Sequence, residues 1–255
     1  MIDMHSHIIY GVDDGSKNKE MTLEMLKLSI GCGVKKIVAT PHYMKGRFVV
    51  EYGEIKDKVN ELRQIIKNEA LDIEIYCGQE VYYRENILEY YEEGAIGTIN
   101  DSRYMLIELP MREFDVNNVI DNLYELTLKG IVPIIAHPER YMPFIKKPSL
   151  INDFIKEGYL FQLNTGSIVG DFGKEVKKLA LNYLGNGVYY ICGSDAHSDG
   201  KRNTHISEDC LEILSNYKDE FIKNGQLILD DKEVKRKINL IKERKKLWLK
   251  LSWTL

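Results

Sequence analysis

The chain has 255 residues, of which 44% are hydrophobic, and it carries a formal net charge of −4. This length can bury a sizeable core, so we expect a single domain over residues 1–255. The mild net charge excludes the strongly basic surface that is typical of nucleic-acid-binding proteins.

The sequence contains no apolar run long enough to predict a transmembrane helix, so we expect no insertion into a membrane. The first residues do not show the pattern of a signal peptide. The four cysteines are widely spaced, which favours free thiols in a reducing compartment over a disulfide framework. These features predict a cytoplasmic protein.

Short β-branched runs alternate with longer helical patterns, which is typical of a mainly parallel sheet. The predicted strands are Ile2–Met4, Lys36–Thr40, Ile73–Cys77, Tyr104–Ile107, Val132–Ala136, Leu160–Leu163 and Val188–Cys192. The predicted helices are Lys19–Gly31, Tyr52–Glu69, Val116–Lys129, Ser149–Glu157, Lys174–Leu184, Ser207–Ile222 and Asp231–Leu249.

Seven strand–helix units predict an α/β fold in which the strands form a (β/α) barrel. An open doubly wound sheet is the alternative. The barrel is favoured because polar residues follow nearly every strand, and the carboxyl ends of barrel strands converge on one face. An open sheet gathers its site mainly at one switch point.

Histidines and carboxylates are the residue types that recur directly after the predicted strands. Five of the six histidines in the chain occupy such positions. The candidate metal ligands, in chain order, are His5, His7, Asp14, His42, Glu80, Glu108, His137, Asp195 and His197.

Taken one at a time, these residues have simpler explanations, since Asp14 is typical of a turn and Asp195 of a helix N-cap. Their combination at successive strand ends predicts a metal cluster. In His5-Ser6-His7 both imidazoles point the same way if the backbone is extended, and the same geometry is expected between Asp195 and His197. Nine mixed ligands exceed the needs of one tetrahedral site, which predicts two or three divalent cations.

The motifs resemble a known family. Met1–His7 followed by Asp13-Asp14-Gly15 looks like the opening of the polymerase and histidinol phosphatase (PHP) superfamily. Within it, the sequence is most similar to the bacterial manganese-dependent protein-tyrosine phosphatases of capsule and exopolysaccharide pathways. The further matching motifs, over residues 1 to about 205, are Ala39–His42, Gly78–Val81, Glu108, His137–Tyr141, Ser194–His197 and Arg202.

The resemblance implies a distorted seven-stranded barrel of the PHP type, with three metal ions at the carboxyl ends of the strands. Manganese is favoured over iron, zinc, cobalt or magnesium. The same candidate residues carry over as ligands, with Asp14 as a ligand or a close neighbour of one. Arg140 and Arg202 carry over as phosphate-binding residues.

The resemblance also implies a reaction and a partner. A metal-bound hydroxide would attack the phosphorus of phosphotyrosine, because divalent cations lower the pKa of bound water. The implied substrate is a tyrosine-phosphorylated protein, namely a membrane-associated tyrosine autokinase that regulates capsule synthesis.

Several alternatives stay open at this stage. Another PHP phosphoesterase, such as histidinol phosphatase, would use the same metal ligands. A non-catalytic, metal-binding regulatory module is the alternative from a different class. A metal-dependent amidohydrolase usually has a metal-bridging lysine after a middle strand. No lysine occurs at such a position here, so this alternative is disfavoured. A cysteine-based phosphatase needs arginine six positions after its cysteine, and the residues there are Val38, Tyr83, Ser198 and Asn216.

The C-terminal segment Lys235–Leu255 mixes basic residues with leucine and tryptophan. We expect an amphipathic helix that packs on the barrel. Contact with another subunit, and hence an oligomer, or with a membrane-bound kinase is the alternative.

Overall fold

The computed structural model describes residues 1–235 and 238–242. Its strands all pair in parallel, as the alternation of strands and helices predicts. The strands are β1 (Ile2–Ser6), β2 (Lys36–Ala39), β3 (His42–Tyr43), β4 (Glu74–Cys77), β5 (Glu80–Tyr82), β6 (Tyr104–Glu108), β7 (Val132–Ala136), β8 (Leu160–Asn164) and β9 (Ile191–Gly193).

The strands form two adjacent sheets that together make a curled, barrel-like layer. One sheet has the order β1-β2-β4 and the other the order β3-β5-β6-β7-β8-β9. A bridge between Ser6 and Ala196 joins the first strand to the segment after the last one. Hydrogen bonds from His7 N to Ala196 O (2.9 Å) and from Asp195 N to His5 O (2.8 Å) reinforce it.

The α/β barrel-like class is therefore confirmed, but the count of seven strands is not exact. The second and third predicted strands are each followed, after a short interruption, by a further short strand that was not predicted (β3 and β5), which gives nine strand segments in the described residues. Pro41 lies at the first interruption and has no N–H to donate to a ladder. Gly78 and Gln79 lie at the second.

Ten α-helices occur in the described residues: α1 (Lys19–Gly31), α2 (Tyr52–Asn68), α3 (Ile87–Glu92), α4 (Val116–Leu128), α5 (Met142–Lys146), α6 (Ile151–Lys156), α7 (Thr165–Val169), α8 (Lys174–Gly185), α9 (Glu208–Leu214) and α10 (Lys218–Leu229). The longer helices bury one apolar face; on α2 that face includes Ile55, Val59 and Leu62, at helical spacing. The buried apolar residues form one cluster. A single domain over residues 1–255 stays a prediction.

Two helix predictions near the C-terminus differ from the structure. The helix predicted over Ser207–Ile222 is two helices, α9 and α10, separated at 215–217, where Ser215 and Asn216 have weak helix propensity. The helix predicted over Asp231–Leu249 is absent from 231–235 and 238–242, and its remainder lies outside the described residues. No helix in the described part of the chain is long and apolar enough to cross a membrane.

Gly193 allows β9 to approach β1 closely where the two strands end. A Cβ atom at this position would lie 2.5 Å from the Cβ and 2.7 Å from the N of His5. Backbone atoms on both strands leave no space for a methyl group. The close approach therefore brings the segment that carries Asp195 against the one that carries His5 and His7.

We expect Gly193→Ala to lower the free energy of unfolding by about 1–3 kcal/mol, because an added methyl group forces the packed strands apart. Chemical denaturation followed by circular dichroism measures this change. Gly31→Ala is the matched control, since nothing lies within 4 Å of a Cβ there. Equal unfolding midpoints for Gly193→Ala and the wild type would contradict the close-packing argument.

Candidate metal centre

The nine predicted ligands lie at one end of the curled sheet, where the carboxyl ends of the strands meet. Parallel pairing produces this arrangement directly. His42 on β3 is in register with Glu80 on β5, and Tyr82 on β5 is in register with Glu108 on β6. His137 directly follows β7, and Asp195 follows β9.

The first group of converging side chains combines both histidines of the N-terminal motif with two carboxylates, Glu80 and Asp195. The Nε2 atoms of His5 and His7 are 3.2 Å apart. Each also lies 3.2 Å from Glu80 Oε2, and they lie 3.7 and 3.5 Å from Asp195 Oδ1, respectively. All four side chains are almost completely buried.

Two further groups share members with the first. His42, Glu80 and Glu108 form one, in which His42 Nδ1 lies 3.0 Å from Glu80 Oε2 and 3.9 Å from Glu108 Oε2. The other consists of His7, Asp14, His42 and His197. Asp14 Oδ1 lies 3.6 Å from His42 Nε2 and 3.5 Å from His197 Nε2. Eight of the nine predicted ligands thus fall into three overlapping groups.

His137 is the ninth and lies beside these groups. Its Nε2 is 3.1 Å from Glu80 Oε1 and 3.9 Å from Glu108 Oε1. Its backbone is in the left-handed region, with φ at 31°. Residues other than glycine adopt this region at a conformational cost, and such positions cluster at functional sites.

Glu80 Oε2 shows why this donor set fits a cation. The atom is buried, lies within 3.2 Å of nitrogens from three imidazoles, and makes no hydrogen bond in the described residues. His42 Nδ1 is buried and unpaired in the same way. A buried carboxylate that faces nitrogen lone pairs is unfavourable unless positive charge lies between them. Imidazole and carboxylate together are ligands that suit manganese, iron or zinc.

Two residues that the sequence analysis did not select orient the first two histidines. Asp13 Oδ2 accepts the Nδ1–H of His7 at 2.6 Å, and it also accepts the backbone N–H of His42 at 2.9 Å. Gln162 Oε1 accepts from His5 Nδ1 at 3.0 Å and from the backbone N–H of His137 at 3.2 Å. When the imidazoles are neutral, these partners place the proton on Nδ1 and leave each Nε2 lone pair facing the cluster.

The signal for Asp13 was present in the sequence, since it stands next to Asp14 in the same motif. Asp14 is the predicted ligand, and its half-exposed carboxylate faces His42 and His197. Asp13 instead has a fully buried side chain, which accepts hydrogen bonds from the imidazole of His7 and from the backbone N–H of His42. No local pattern marks Gln162, which lies inside β8 in a run of otherwise ordinary strand residues.

The extended geometry predicted for Asp195-Ala196-His197 is wrong, because Asp195 has a φ of 51°. The two side chains still converge, with Asp195 Oδ1 3.5 Å from His197 Nδ1. The carboxylate is held by Asn164 Nδ2, which donates to Asp195 Oδ2 at 2.9 Å. Its position is therefore set by tertiary contacts rather than by strand alternation.

Both predicted phosphate-binding arginines lie beside the ligand cluster, where each pairs with Asp195. Arg140 Nη1 is 2.5 Å from Asp195 Oδ2, and Arg202 Nη2 is 2.7 Å from Asp195 Oδ1. The guanidinium of Arg140 also stacks over the ring of Phe172 at 4.3 Å. The structure thus brings both arginines to the cluster, and phosphate binding by them stays a prediction.

Burial and the neighbouring charges shift the pKa values of the cluster in opposite directions. Burial and the positive charge of Arg140 lower the pKa of His137 to about 4. Burial and the neighbouring imidazole of His7 lower the pKa of His197 to about 4 as well. Both are neutral at pH 7, which is the form that binds metals. Burial and the negative charges of Glu80 and Asp195 raise the pKa of Glu108 to about 9.

A cavity of about 510 Å³ opens onto the cluster. Its walls include an apolar part to which Met44, Phe48 and Met111 contribute, and four arginines. The Phe48 ring stacks parallel to the imidazole of His42, with centroids 5.7 Å apart and an interplanar angle of 9°. No local feature of the sequence at 45–50 indicates that this segment folds back onto a histidine.

The fold and this cluster define a barrel-like α/β protein with three overlapping groups of histidines and carboxylates that could hold a metal ion. Residues 1–232 match the family model for capsular polysaccharide synthesis, CpsB/CapC. The chain therefore belongs to the CpsB/CapC family. This membership confirms the resemblance to the bacterial tyrosine phosphatases of capsule pathways.

Individual relatives align with nearly the whole length of this chain. CapC of Staphylococcus aureus is 34% identical, over 98% of this chain and 100% of that protein. The tyrosine-protein phosphatase YwqE of Bacillus subtilis is 30% identical, over 97% and 99%. A crystal structure reported for YwqE and for CpsB of Streptococcus pneumoniae, described as metal-dependent tyrosine phosphatases, matches with a TM-score of 0.88 at 28% identity. It covers 95% of this chain and 100% of that one.

We expect Asp13→Ala to weaken Mn²⁺ binding by about 10- to 100-fold, because His7 loses the carboxylate that fixes its proton on Nδ1. Asp13→Asn, which keeps an oxygen acceptor but no charge, should show a smaller loss. Titration of the metal-free protein with Mn²⁺ measures the Kd.

The matched control is Asp153→Ala, which removes an exposed carboxylate paired with Lys156 on α6. It should leave the Kd unchanged. A wild-type Kd in Asp13→Ala would exclude Asp13 from orienting a ligand.

Proposed function

We propose that the protein is a metal-dependent protein-tyrosine phosphatase whose three overlapping ligand groups hold up to three divalent cations, with manganese favoured. The single observation that carries this proposal is the buried Glu80 Oε2, which faces three imidazole nitrogens without a hydrogen bond in the described residues. Relatives of similar length that are named tyrosine-protein phosphatases support the substrate class.

Bound divalent cations would lower the pKa of water and neutralise charge on the phosphoryl oxygens. The chain's own residues supply the rest. Arg140 and Arg202 bind phosphoryl oxygens through their planar donor groups, which match the geometry of phosphate. Both lie beside Asp195, so a phosphoryl group bound to them is held next to the cation ligands.

The apolar wall of the cavity suits an aromatic leaving group. Met44 and Phe48 line the cavity beside His42 and can pack against the ring of a phosphotyrosine. A tyrosine phenolate, with a conjugate-acid pKa of about 10, leaves more readily than an alkoxide. The reaction therefore needs little proton donation to the leaving oxygen.

The partner and the compartment form part of the proposal. The match to a capsular polysaccharide synthesis family supports a tyrosine-phosphorylated protein of that pathway as the substrate, such as a tyrosine autokinase. The four cysteines are all free thiols, which supports a reducing cytoplasm.

Arg140→Ala should lower kcat/KM for a phosphotyrosine peptide by about 10²- to 10³-fold, because one charged donor to the phosphoryl group is lost. Steady-state kinetics measure this effect, with metal content determined by elemental analysis on the same sample. Arg140→Lys, which keeps the charge but not the planar donor pair, should recover only part of the rate.

Arg103→Ala is the control. Arg103 directly precedes β6, whereas Glu108 is the last residue of that strand, so Arg103 lies at the end remote from the cluster, where it pairs with Asp231. Full activity of Arg140→Ala at normal metal content would remove the phosphate-binding role. If the manganese-loaded wild type hydrolyses no phosphate ester, the protein is instead a non-catalytic metal-binding module.

Metal binding should strengthen as the pH rises from about 7 to about 9. In the metal-free protein, the raised pKa of Glu108, about 9, keeps its carboxyl protonated at pH 7. A cation binds the carboxylate, so binding at pH 7 releases this proton. Calorimetry in buffers of different ionisation enthalpy counts the released protons, and Glu108→Gln should release fewer. Equal proton release by both proteins would contradict this assignment.

A further inference from the structure

The mouth of the cavity carries two arginines beyond those that pair with Asp195. Arg47 and Arg112 line the same cavity and are exposed. Arg47 Nη2 lies 3.8 Å from Asp14 Oδ2, a distance at which two half-exposed groups attract only weakly. Within residues 1–235 and 238–242, Arg112 has no ion pair or hydrogen bond. Both cations are therefore available to a ligand.

Arg47 is held in place before any ligand binds. It lies in a tight turn closed by hydrogen bonds from Met44 N to Phe48 O (2.7 Å) and from Phe48 N to Met44 O (2.9 Å). Its guanidinium lies over the Phe48 ring at 4.8 Å, and that ring stacks on His42. A cation fixed by such a stack loses little conformational entropy when it binds an anion.

The mouth of the cavity is rich in positive charge, whereas the whole chain has a negative net charge. The chain has a net charge of −4, yet four arginines line this one cavity. Of the acidic lining residues, three are predicted cation ligands, and Glu113 is the one that remains. Because the charge of the ligands would be taken up by bound cations, the rim keeps an excess of positive charge.

We propose that Arg47 and Arg112 bind carboxylate side chains that flank the phosphotyrosine, so that the enzyme prefers tyrosines in acidic segments. The inference rests on the proposed phosphatase function. In this proposal, Arg140 and Arg202 bind the phosphoryl group beside the cluster, whereas Arg47 and Arg112 bind the substrate residues on either side of the phosphotyrosine. An extended peptide advances about 3.3 Å per residue, so residues adjacent to the phosphotyrosine lie at the rim when its ring occupies the cavity.

The test compares three phosphotyrosine peptides that differ only in the flanking residues, which are Glu, Gln or Lys. For the manganese-loaded wild type, we expect kcat/KM to fall in that order, by about five-fold between the Glu and Gln peptides. The difference should lie mainly in KM. It should shrink between about 0.05 M and about 0.5 M salt, because exposed ion pairs are screened.

Variants assign the preference to the two arginines. Arg47→Gln and Arg112→Gln should each reduce the Glu-to-Gln ratio of kcat/KM, and the double variant should bring it close to one. Arg47→Glu should move the preference towards the Lys peptide. Lys156→Gln removes the same charge from α6, away from the cavity, and should keep the wild-type ratio.

Equal kcat/KM of the wild type for the Glu and Gln peptides would overturn the proposal, and so would a wild-type ratio in the double variant. Either result leaves the phosphatase function intact, because the peptides are still hydrolysed. If the wild type hydrolyses none of the peptides and no p-nitrophenyl phosphate, both the phosphatase function and the inference fail.

Discussion

A buried carboxylate oxygen surrounded by imidazole nitrogens is the contact on which the site depends. Glu80 Oε2 lies within 3.2 Å of nitrogens from His5, His7 and His42. Burial alone would raise the pKa of Glu80, but the adjacent imidazoles of His5 and His42 hold it well below its usual range. The carboxylate is thus ionised inside the protein, and the positive charge that it requires comes from protonated imidazoles or from metal ions.

The parallel barrel-like sheet is what assembles this contact. Each strand ends at the same face, so residues that are far apart in sequence become neighbours without a long-range loop. Gly193 lets the last strand touch the first, and the register between β3 and β5 sets His42 beside Glu80. Asp13 and Gln162 then fix the orientation of the N-terminal histidines. The same hydrogen bonds position the backbone and the ligands, because Asp13 Oδ2 and Gln162 Oε1 each accept from one imidazole and one backbone N–H.

The cavity separates two kinds of positive charge. Arg140 and Arg202 are held against Asp195, so they are part of the cluster's own electrostatic balance. Arg47 and Arg112 stand at the rim and face solvent. His137 and His197 line the same cavity and are neutral at pH 7, since burial lowers the pKa of each to about 4. A doubly charged phosphoryl group would therefore meet Arg47 and Arg112 at the rim and Arg140 and Arg202 beside the cluster.

The sequence alone determined the parallel α/β architecture and which side chains occupy the strand ends, because strand and helix periodicities and the residues after each strand are local features. The predicted ligands from His5 to His197 converge at one end of the sheet, although His42 and Glu80 begin the strands β3 and β5. Only the tertiary structure decided the rest. The short strands β3 and β5 form by pairing with their neighbours in the second sheet, and the position of the Asp195 carboxylate depends on Asn164 and Arg140. Gln162 has no local signature, because its partners His5 and His137 lie far away in the chain, and contacts of that kind exist only once the sheet has closed.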